Sequence, residues 1–231
     1  MLIEHGGVRL LTDPVLRGRI MHMRRHGPVP QTPASIDAVL LSHLHFDHLD
    51  LPSLRRIGPR TPLIAPRGAG AFLRRAGWKL VEELQAGERT AIDGVTVTAT
   101  PAEHDSRRRP FGPTAEPLGF VIATADQAVY FAGDTDLFAG MQKIGPVDGA
   151  LLPVAGWGPK VPAGHLNPQS AARAVALIRP RVAIPIHWGT LHSSRMGAWF
   201  RDPPHRFAAH VAEVAPEVEV RVLAPGQSLE L

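Results

Sequence analysis

Hydrophobic residues occur along the chain in short runs that are bounded by Gly, Pro or Asp. Short runs of this kind, rich in Val, Ile and Leu, are typical of buried β-strands. The pattern predicts nine strands, at residues 8–11, 38–41, 62–65, 95–100, 119–123, 128–132, 150–154, 182–186 and 218–222.

The segments between these strands predict helices at residues 51–57, 69–76, 137–144, 168–178 and 204–215. The fourth helix has the clearest beginning, because Asn167 is a favourable N-cap and Pro168 suits the first helical position. Many short strands with helices between them predict a mixed α/β (α+β) fold. A polar, Pro-rich stretch at residues 105–117 divides the chain near its middle. We therefore expect one domain over residues 1–231, built from two similar βα halves at about 1–110 and 117–231.

The composition excludes several classes of protein and of site. The chain has 231 residues, 44% hydrophobic and 20% charged, as in ordinary globular proteins. It has no cysteine, so disulfides, thiolate nucleophiles and cysteine-ligated zinc sites are excluded, and a metal would have to be held by His and carboxylate side chains. A net charge of +4 over this length is too small to indicate a specific nucleic-acid partner. Neither a membrane-spanning apolar run nor a signal-peptide pattern is visible, which predicts a cytoplasmic protein.

Four candidate metal ligands follow the predicted strand at 38–41 directly. His43 and His45 are two residues apart, so on an extended chain both imidazoles project to one side and can converge on one ion. Asp47 and His48 then turn towards a second position. A single histidine here would be interpreted as part of a solvated loop, but the whole pattern after a hydrophobic strand indicates a metal site.

The pattern His43-x-His45-x-Asp47-His48 resembles the signature of the metallo-β-lactamase-fold hydrolases. Three further residues of the expected types each follow a predicted strand. They are His104, Asp134 and His187. The resemblance implies an αββα sandwich that holds two divalent metal ions. One ion would be bound by His43, His45 and His104, the second by Asp47, His48 and His187, with Asp134 bridging both. Nitrogen-rich ligation favours zinc, while manganese and iron remain alternatives.

A narrower resemblance is to the branch that contains N-acylphosphatidylethanolamine-hydrolysing phospholipase D and the ascorbate-6-phosphate lactonase-like proteins. The matching segments are at residues 11–14, 42–50, 131–134, 164–168 and 186–190. The resemblance implies hydrolysis by a metal-bridging hydroxide, most specifically of a phosphodiester. A lactonase or another ester or amide hydrolase is the alternative, since the same hydroxide can attack a carbonyl. A non-catalytic, metal-bound anion sensor is a second alternative, and the intact ligand set argues against it.

Two residues are candidates for catalytic roles within this scheme. Asp47 would orient the hydroxide or take its proton. His165, in a Gly-His-Leu-Asn-Pro loop, would contact substrate or protonate the leaving group, and its alternative role is to pack the loop. Asp13 is expected to orient a ligand imidazole, and Asp136 to cap a helix.

Three consecutive arginines follow His104 and are candidates for binding an anionic group of the substrate. They are Arg107, Arg108 and Arg109, and a solvated basic loop is the alternative interpretation. The expected partner is an anionic small molecule or lipid. A peripheral membrane contact and the oligomeric state are left open.

Overall fold

The structure, a computed structural model, describes residues 1–105, 107–108, 112–155, 161–192 and 202–231. Two β-sheets face each other, and the smaller contains five strands. In chain order these strands are β1 (Leu2–His5), β2 (Val8–Thr12), β5 (Ala38–Leu40), β6 (Leu63–Pro66) and β7 (Val81–Leu84). Their order across the sheet is β1-β2-β5-β6-β7; β1 and β2 form an antiparallel hairpin, and β2, β5, β6 and β7 run parallel.

The larger sheet has seven strands. They are β8 (Arg89–Ile92), β9 (Val95–Pro101), β10 (Leu118–Ala123), β11 (Ala128–Phe131), β12 (Gly149–Pro153), β13 (Val182–Ile186) and β15 (Glu219–Val220). Their order across the sheet is β15-β13-β12-β11-β10-β9-β8. Strands β8 to β11 pair antiparallel, whereas β11, β12, β13 and β15 are parallel. Strands β8 and β9 therefore join the larger sheet although they precede residue 110.

Helices cover the outer face of each sheet. They are α1 (Leu51–Ile57), α2 (Gly70–Arg75), α3 (Pro168–Ile178) and α4 (Pro203–Val214), with a 3-10 helix at Ala139–Lys143. Side chains of α1 and α2 belong to one hydrophobic cluster with the smaller sheet, and those of α3, α4 and the 3-10 helix to another with the larger sheet. The architecture is the expected αββα sandwich. Within the described ranges, no helix has the length and apolarity to cross a membrane.

The alternation of side chains along the strands builds these layers. In β5, Ala38 and Leu40 lie in the core between the sheets, whereas Val39 packs against the α1 and α2 layer. Successive side chains of a strand point to opposite faces, and both faces of β5 are covered, so the whole strand is apolar. Burial on both faces therefore explains why a hydrophobic run predicts a strand such as β5.

All nine predicted strands are present, and the described part of the chain has six further strands that hydrophobic runs do not predict. These include β1, β7 and β8, and a small third sheet of β3 (Arg19–Ile20), β4 (Met23–Arg25) and β14 (Leu191–His192). The predicted strand at 218–222 is shorter, and the predicted helix at 137–144 is the 3-10 helix, whose N-cap is Phe138. Asp136 is therefore not the N-cap that the sequence predicted.

Two helix beginnings position the loops that precede them. Asp50 caps α1 by accepting from the Ser53 amide at 3.1 Å, and it also accepts two hydrogen bonds from Arg17. Asn167 caps α3 as predicted, in a capping box with Ser170. Both helices thus begin immediately after a loop that carries candidate site residues.

Candidate metal centre

The candidate ligands lie just beyond the carboxyl ends of strands. His43 follows β5, His104 follows β9, and Asp134 and His187 follow β11 and β13. Because β9, β11 and β13 run in the same direction, their carboxyl ends share one edge of the larger sheet. The loops after these strands meet the loop after β5 at this edge, and together they form one cluster of His and Asp side chains.

The first set of ligand atoms comes from His43, His45 and His104. His45 Nδ1 lies 3.1 Å from His43 Nε2 and 3.0 Å from His104 Nε2. The other ring nitrogen of His104 donates to the Gly164 carbonyl at 2.6 Å, and Nδ1 of His43 lies 2.9 Å from the Ser42 hydroxyl. These outer contacts orient the rings and leave one nitrogen of each facing the cluster.

The second set comes from Asp47, His48 and His187, together with Asp134. Nε2 of His48 lies 3.1 Å from Oδ2 of Asp47 and 3.2 Å from Nε2 of His187. Asp134 Oδ2 is 3.1 Å from His48 Nε2 and 3.5 Å from His187 Nε2. The Nδ1 atom of His187 donates to the Ala155 carbonyl at 2.9 Å, which again leaves Nε2 for the cluster.

Two carboxylate oxygens indicate that the cluster lacks a cation and the water that a cation would hold. Asp47 Oδ1 and Asp134 Oδ1 are buried and have no hydrogen-bond partner within the described part of the chain. A buried anionic oxygen without a donor is costly. Imidazole nitrogens and carboxylate oxygens are ligands that zinc and other transition metals accept. The residues present therefore fit metal ions, and Asp134 has a second oxygen to share.

The histidines of the first set are held neutral. Burial lowers the pKa of His43 well below its usual value, lowers the pKa of His45, and lowers the pKa of His104 to about 4. Neutral imidazole is the form that binds a metal. At neutral pH these three imidazoles can therefore bind a cation without first losing a proton.

The histidines of the second set carry protons when no metal is present. Burial alone would lower the pKa of His48, but the Asp134 and Asp47 carboxylates raise it well above its usual value. The same carboxylates, acting against burial, raise the pKa of His187 to about 9. In return His187 and His48 hold the pKa of Asp134 below its usual range, although burial would raise it. A metal in this position would replace these protons.

The backbone around the cluster takes unusual conformations. His187 and Asp13 have φ values of 59° and 41°, in the left-handed region that non-glycine residues rarely adopt. Gly133, before Asp134, has a φ of 61°, and a Cβ there would lie 2.5 Å from the Ser42 Cβ. Such positions concentrate at functional sites, where the surrounding structure holds them.

His165 lies beside the cluster. Its Nε2 is 3.5 Å from Asp134 Oδ2, and its ring stands edge-on to His104 with 4.5 Å between centroids. Its Nδ1 lies 3.3 Å from the Ala163 carbonyl. Asp136 supports the same loop, because its Oδ2 accepts from the Gly164 amide at 3.3 Å.

The three arginines predicted to bind an anion have different surroundings. Arg107 is exposed, and Arg109 lies outside the described residues. Arg108 is only 7% exposed, and its Nη1 donates to the Leu44 and Leu49 carbonyls. These contacts engage the guanidinium of Arg108 within the protein, and its role in substrate binding stays a prediction.

Some residues of the site carry no signal in the sequence. The carbonyl oxygens of Gly164 and Ala155 orient two ligand rings, and any residue type could supply them. Ser42, whose hydroxyl lies 2.5 Å from the Asp13 carboxylate, does have a sequence signal, because it immediately precedes His43.

Comparisons with known proteins relate this chain to metal-dependent hydrolases. The family described as "Beta-lactamase superfamily domain" matches residues 8–188. A UPF0173 metal-dependent hydrolase of Methanopyrus kandleri is 33% identical over 99% of this chain and 94% of its own length. An uncharacterized protein of Mycobacterium tuberculosis is 34% identical over 99% of this chain, which spans 66% of that relative's length. The solved structure of a metallo hydrolase from the archaeon Ignicoccus hospitalis has a TM-score of 0.75 at 27% identity, covering 99% of this chain and 92% of that one.

Proposed function

The chain belongs to the beta-lactamase superfamily and to the UPF0173 metal-dependent hydrolase family, and from that premise we propose that it hydrolyses a phosphodiester with two divalent metal ions. The observation that carries the proposal is the pair of converging ligand sets, with Asp134 facing both. The likeness of the sequence motifs to the phospholipase D-like branch supports the same choice of substrate.

His43, His45 and His104 would hold one ion, and Asp47, His48 and His187 the other, with Asp134 shared between them. Zinc fits this nitrogen-rich set best. Bound metal ions would supply two things: a water molecule of lowered pKa, and positive charge beside the oxygens of the substrate.

The charge of the centre favours an anionic substrate over a neutral one. Two dications would outweigh the carboxylates that line the cluster, Asp13, Asp47 and Asp134. A centre with excess positive charge attracts an anion and stabilises the charge that grows on its oxygens. A phosphodiester gains from both effects from the start, whereas a lactone gains mainly in the transition state.

Asp47 is proposed to orient the attacking water. Its Oδ2 is engaged with His48 at 3.1 Å and His187 at 3.3 Å, while Oδ1 has no partner among the described residues. Oδ1 can therefore accept a hydrogen bond from the water and direct it at phosphorus.

His165 is proposed to donate a proton to the leaving oxygen. Since the Ala163 carbonyl can only accept, Nδ1 carries a proton towards it, and the protonated ring has a second proton on Nε2. That nitrogen lies 3.5 Å from Asp134 Oδ2, at the edge of the cluster. A leaving alkoxide within reach would take this proton.

Arg107 is proposed to contact the anionic group of the substrate. Arg107 is exposed and lies three residues after His104 in the sequence. Substitution of Arg107 by Gln should raise KM for an anionic substrate more than for a neutral one. Equal effects on KM for both substrates would show that Arg107 belongs to a solvated basic loop and does not bind the anionic group.

Metal analysis combined with an activity screen tests the proposal. The purified protein should hold close to two ions per chain and hydrolyse bis(p-nitrophenyl) phosphate. A chelator should abolish this activity, and zinc or manganese should restore it. His43→Ala should lose metal and activity, whereas His205→Ala, on the exposed side of α4, is the matched control and should lose neither.

Different failures have different meanings. A metal content near zero that supplementation does not raise would refute the metal centre. A metal-loaded protein that hydrolyses a panel of lactones but no phosphodiester would refute the substrate class and leave the metal-dependent hydrolase in place.

A further inference from the structure

Arg108 lies beneath the loop that carries three of the candidate ligands. Its Nη1 is 2.5 Å from the Leu44 carbonyl and 3.0 Å from the Leu49 carbonyl. Leu44 and Leu49 stand on either side of the ligands His45, Asp47 and His48. A single nitrogen therefore ties both ends of this ligand loop, residues 44–49, together.

A third contact reaches the middle of the loop. The guanidinium carbon of Arg108 lies 4.0 Å from the centroid of the Phe46 ring, within the range of a cation–π interaction. Phe46 stands between His45 and Asp47, so its ring and their side chains leave the same short stretch of backbone. Arg108 thus contacts the ligand loop at its first residue, its third and its last.

The loop depends on these contacts because its internal hydrogen bonds are few. The amides of His48 and Leu49 both donate to the His45 carbonyl. The carbonyls of Leu44 and Leu49 belong to residues that are 1% and 0% exposed. Without Arg108 both carbonyls would lose a charged donor in a buried place, and the loop would rearrange to find replacements.

Arg108 also joins two parts of the first ligand set. It follows His104 by four residues, and its backbone makes two hydrogen bonds: its amide donates to the Pro113 carbonyl, and its carbonyl accepts from the Gly112 amide. The loop after β9, which supplies His104, is thereby attached to the loop after β5, which supplies His43 and His45.

We propose that Arg108 is a positioning residue, which holds the ligand loop in the geometry that binds metal and does not touch the substrate. The inference rests on the proposed metal centre. Loss of a residue that orients metal ligands typically lowers metal affinity by about 10–100-fold. Burial lowers the pKa of Arg108, while Asp50 and Asp47 act to raise it, and an arginine remains charged under these conditions.

The experiment compares Arg108→Met with Arg9→Met. Arg9, on strand β2, is a suitable control, because its guanidinium also makes two hydrogen bonds, to Glu4 and Ser35. Zinc affinity is measured by competition with a chromophoric chelator, and the absorption spectrum of the cobalt-loaded protein reports the coordination geometry. We expect Arg108→Met to bind zinc about 10–100-fold more weakly and to show an altered cobalt spectrum, with Arg9→Met unchanged in both.

Two milder variants keep the test decisive if Arg108→Met does not fold. Arg108→Lys retains a charge and donors but lacks the planar fork, so it should recover part of the lost affinity. Phe46→Leu removes the ring below the guanidinium and leaves both carbonyl contacts in place, and it should lower zinc affinity by a smaller factor. Hydrogen exchange in the metal-free protein should be faster in the peptide that covers residues 43–50 in both variants, and unchanged in strands β9 and β10.

Wild-type zinc affinity and an unaltered cobalt spectrum in the folded variants would overturn the inference, even if their melting temperatures fell. In that case Arg108 would only stabilise the fold and would have no effect on the metal geometry. A wild-type protein that binds no zinc would instead refute the metal centre itself, and this inference with it.

Discussion

Oδ2 of Asp13 lies 2.7 Å from Nδ1 of His48, on the side of the ring opposite the candidate metal position. The same carboxylate also accepts from the amide of Ser42 at 2.8 Å. Asp13 therefore fixes the orientation of His48 and leaves its Nε2 for the cluster, as the sequence predicted for a carboxylate outside the ligand set.

Asp13→Asn should weaken the second metal position. An amide is uncharged and holds the imidazole less firmly, so we expect about 10–100-fold lower affinity for the second ion and a parallel loss of kcat. Elemental analysis after dialysis against graded chelator concentrations measures the effect. Asp37→Asn is a matched control, since Asp37 accepts from the backbone amide of Arg9 away from the cluster. Two tightly held ions in Asp13→Asn would contradict this role.

Asp136 should affect metal affinity at the first position, and its effect should be weaker than that of Asp13 at the second. It accepts from the Gly164 amide, and the Gly164 carbonyl in turn accepts from His104. Asp136→Ala should therefore reduce affinity for the first ion, but less than Asp13→Asn reduces affinity for the second, because Asp136 acts through the Gly164 backbone and Asp13 contacts a ligand ring directly. The same dialysis experiment ranks the two variants, and the reverse order would show that the Gly164 loop needs no support from Asp136.

The clustering of the candidate ligands is predictable from the sequence, because their spacing and their positions after strands both indicate it. The alternation of His43 and His45 after a doubly buried strand leaves few structural alternatives. The strands β7 and β8 were not predictable in this way, since their faces carry charged residues and their burial is partial. The two-residue strand β14 forms because tertiary contacts bring it beside β4, and the local sequence does not encode such contacts.

Arg108 shows a different limit of sequence analysis. Three adjacent arginines after a ligand look equivalent, and a basic cluster near a metal suggests an anion site. The structure distinguishes Arg108 by its contacts, because its amide and carbonyl pair with Pro113 and Gly112 and its side chain lies against the ligand loop. A residue's charge is visible in the sequence, but the partner that neutralises or uses it is set by the fold.

The metal-free protein should lose stability both when the pH rises above about 6.5 and when it falls below this value. Asp134 and Asp47, against burial, raise the pKa of His187 from 6.5 to about 9, a shift that corresponds to about 3 kcal/mol. A raised pKa gives stability that is full below 6.5 and is lost as the pH rises to about 9. Burial lowers the pKa of His104 to about 4, so stability is also lost as the pH falls from 6.5 towards 4. The chelated protein should thus be most stable near pH 6.5.

Melting temperatures across pH 4 to 10, with chelator and with zinc, test this behaviour. In the zinc-loaded protein the metal takes the place of the protons on His48 and His187, so the loss between about pH 6.5 and 9 should disappear. A chelated protein whose melting temperature stays constant over that interval would show that His187 is not charged in the fold.

The role of His165 is tested by comparing leaving groups. His165→Ala should keep both metal ions, since its ring lies outside the two ligand sets, yet kcat for a diester that releases an alkoxide should fall by roughly 10²–10⁴-fold. A p-nitrophenolate leaves without a proton, so hydrolysis of a p-nitrophenyl diester should be far less impaired. If instead KM rises for both substrates while kcat is kept, His165 binds substrate equally in the ground and transition states. His205→Ala, on the exposed side of α4, serves as the control. Wild-type kinetics of His165→Ala on both diesters would show that this histidine only packs the loop before α3.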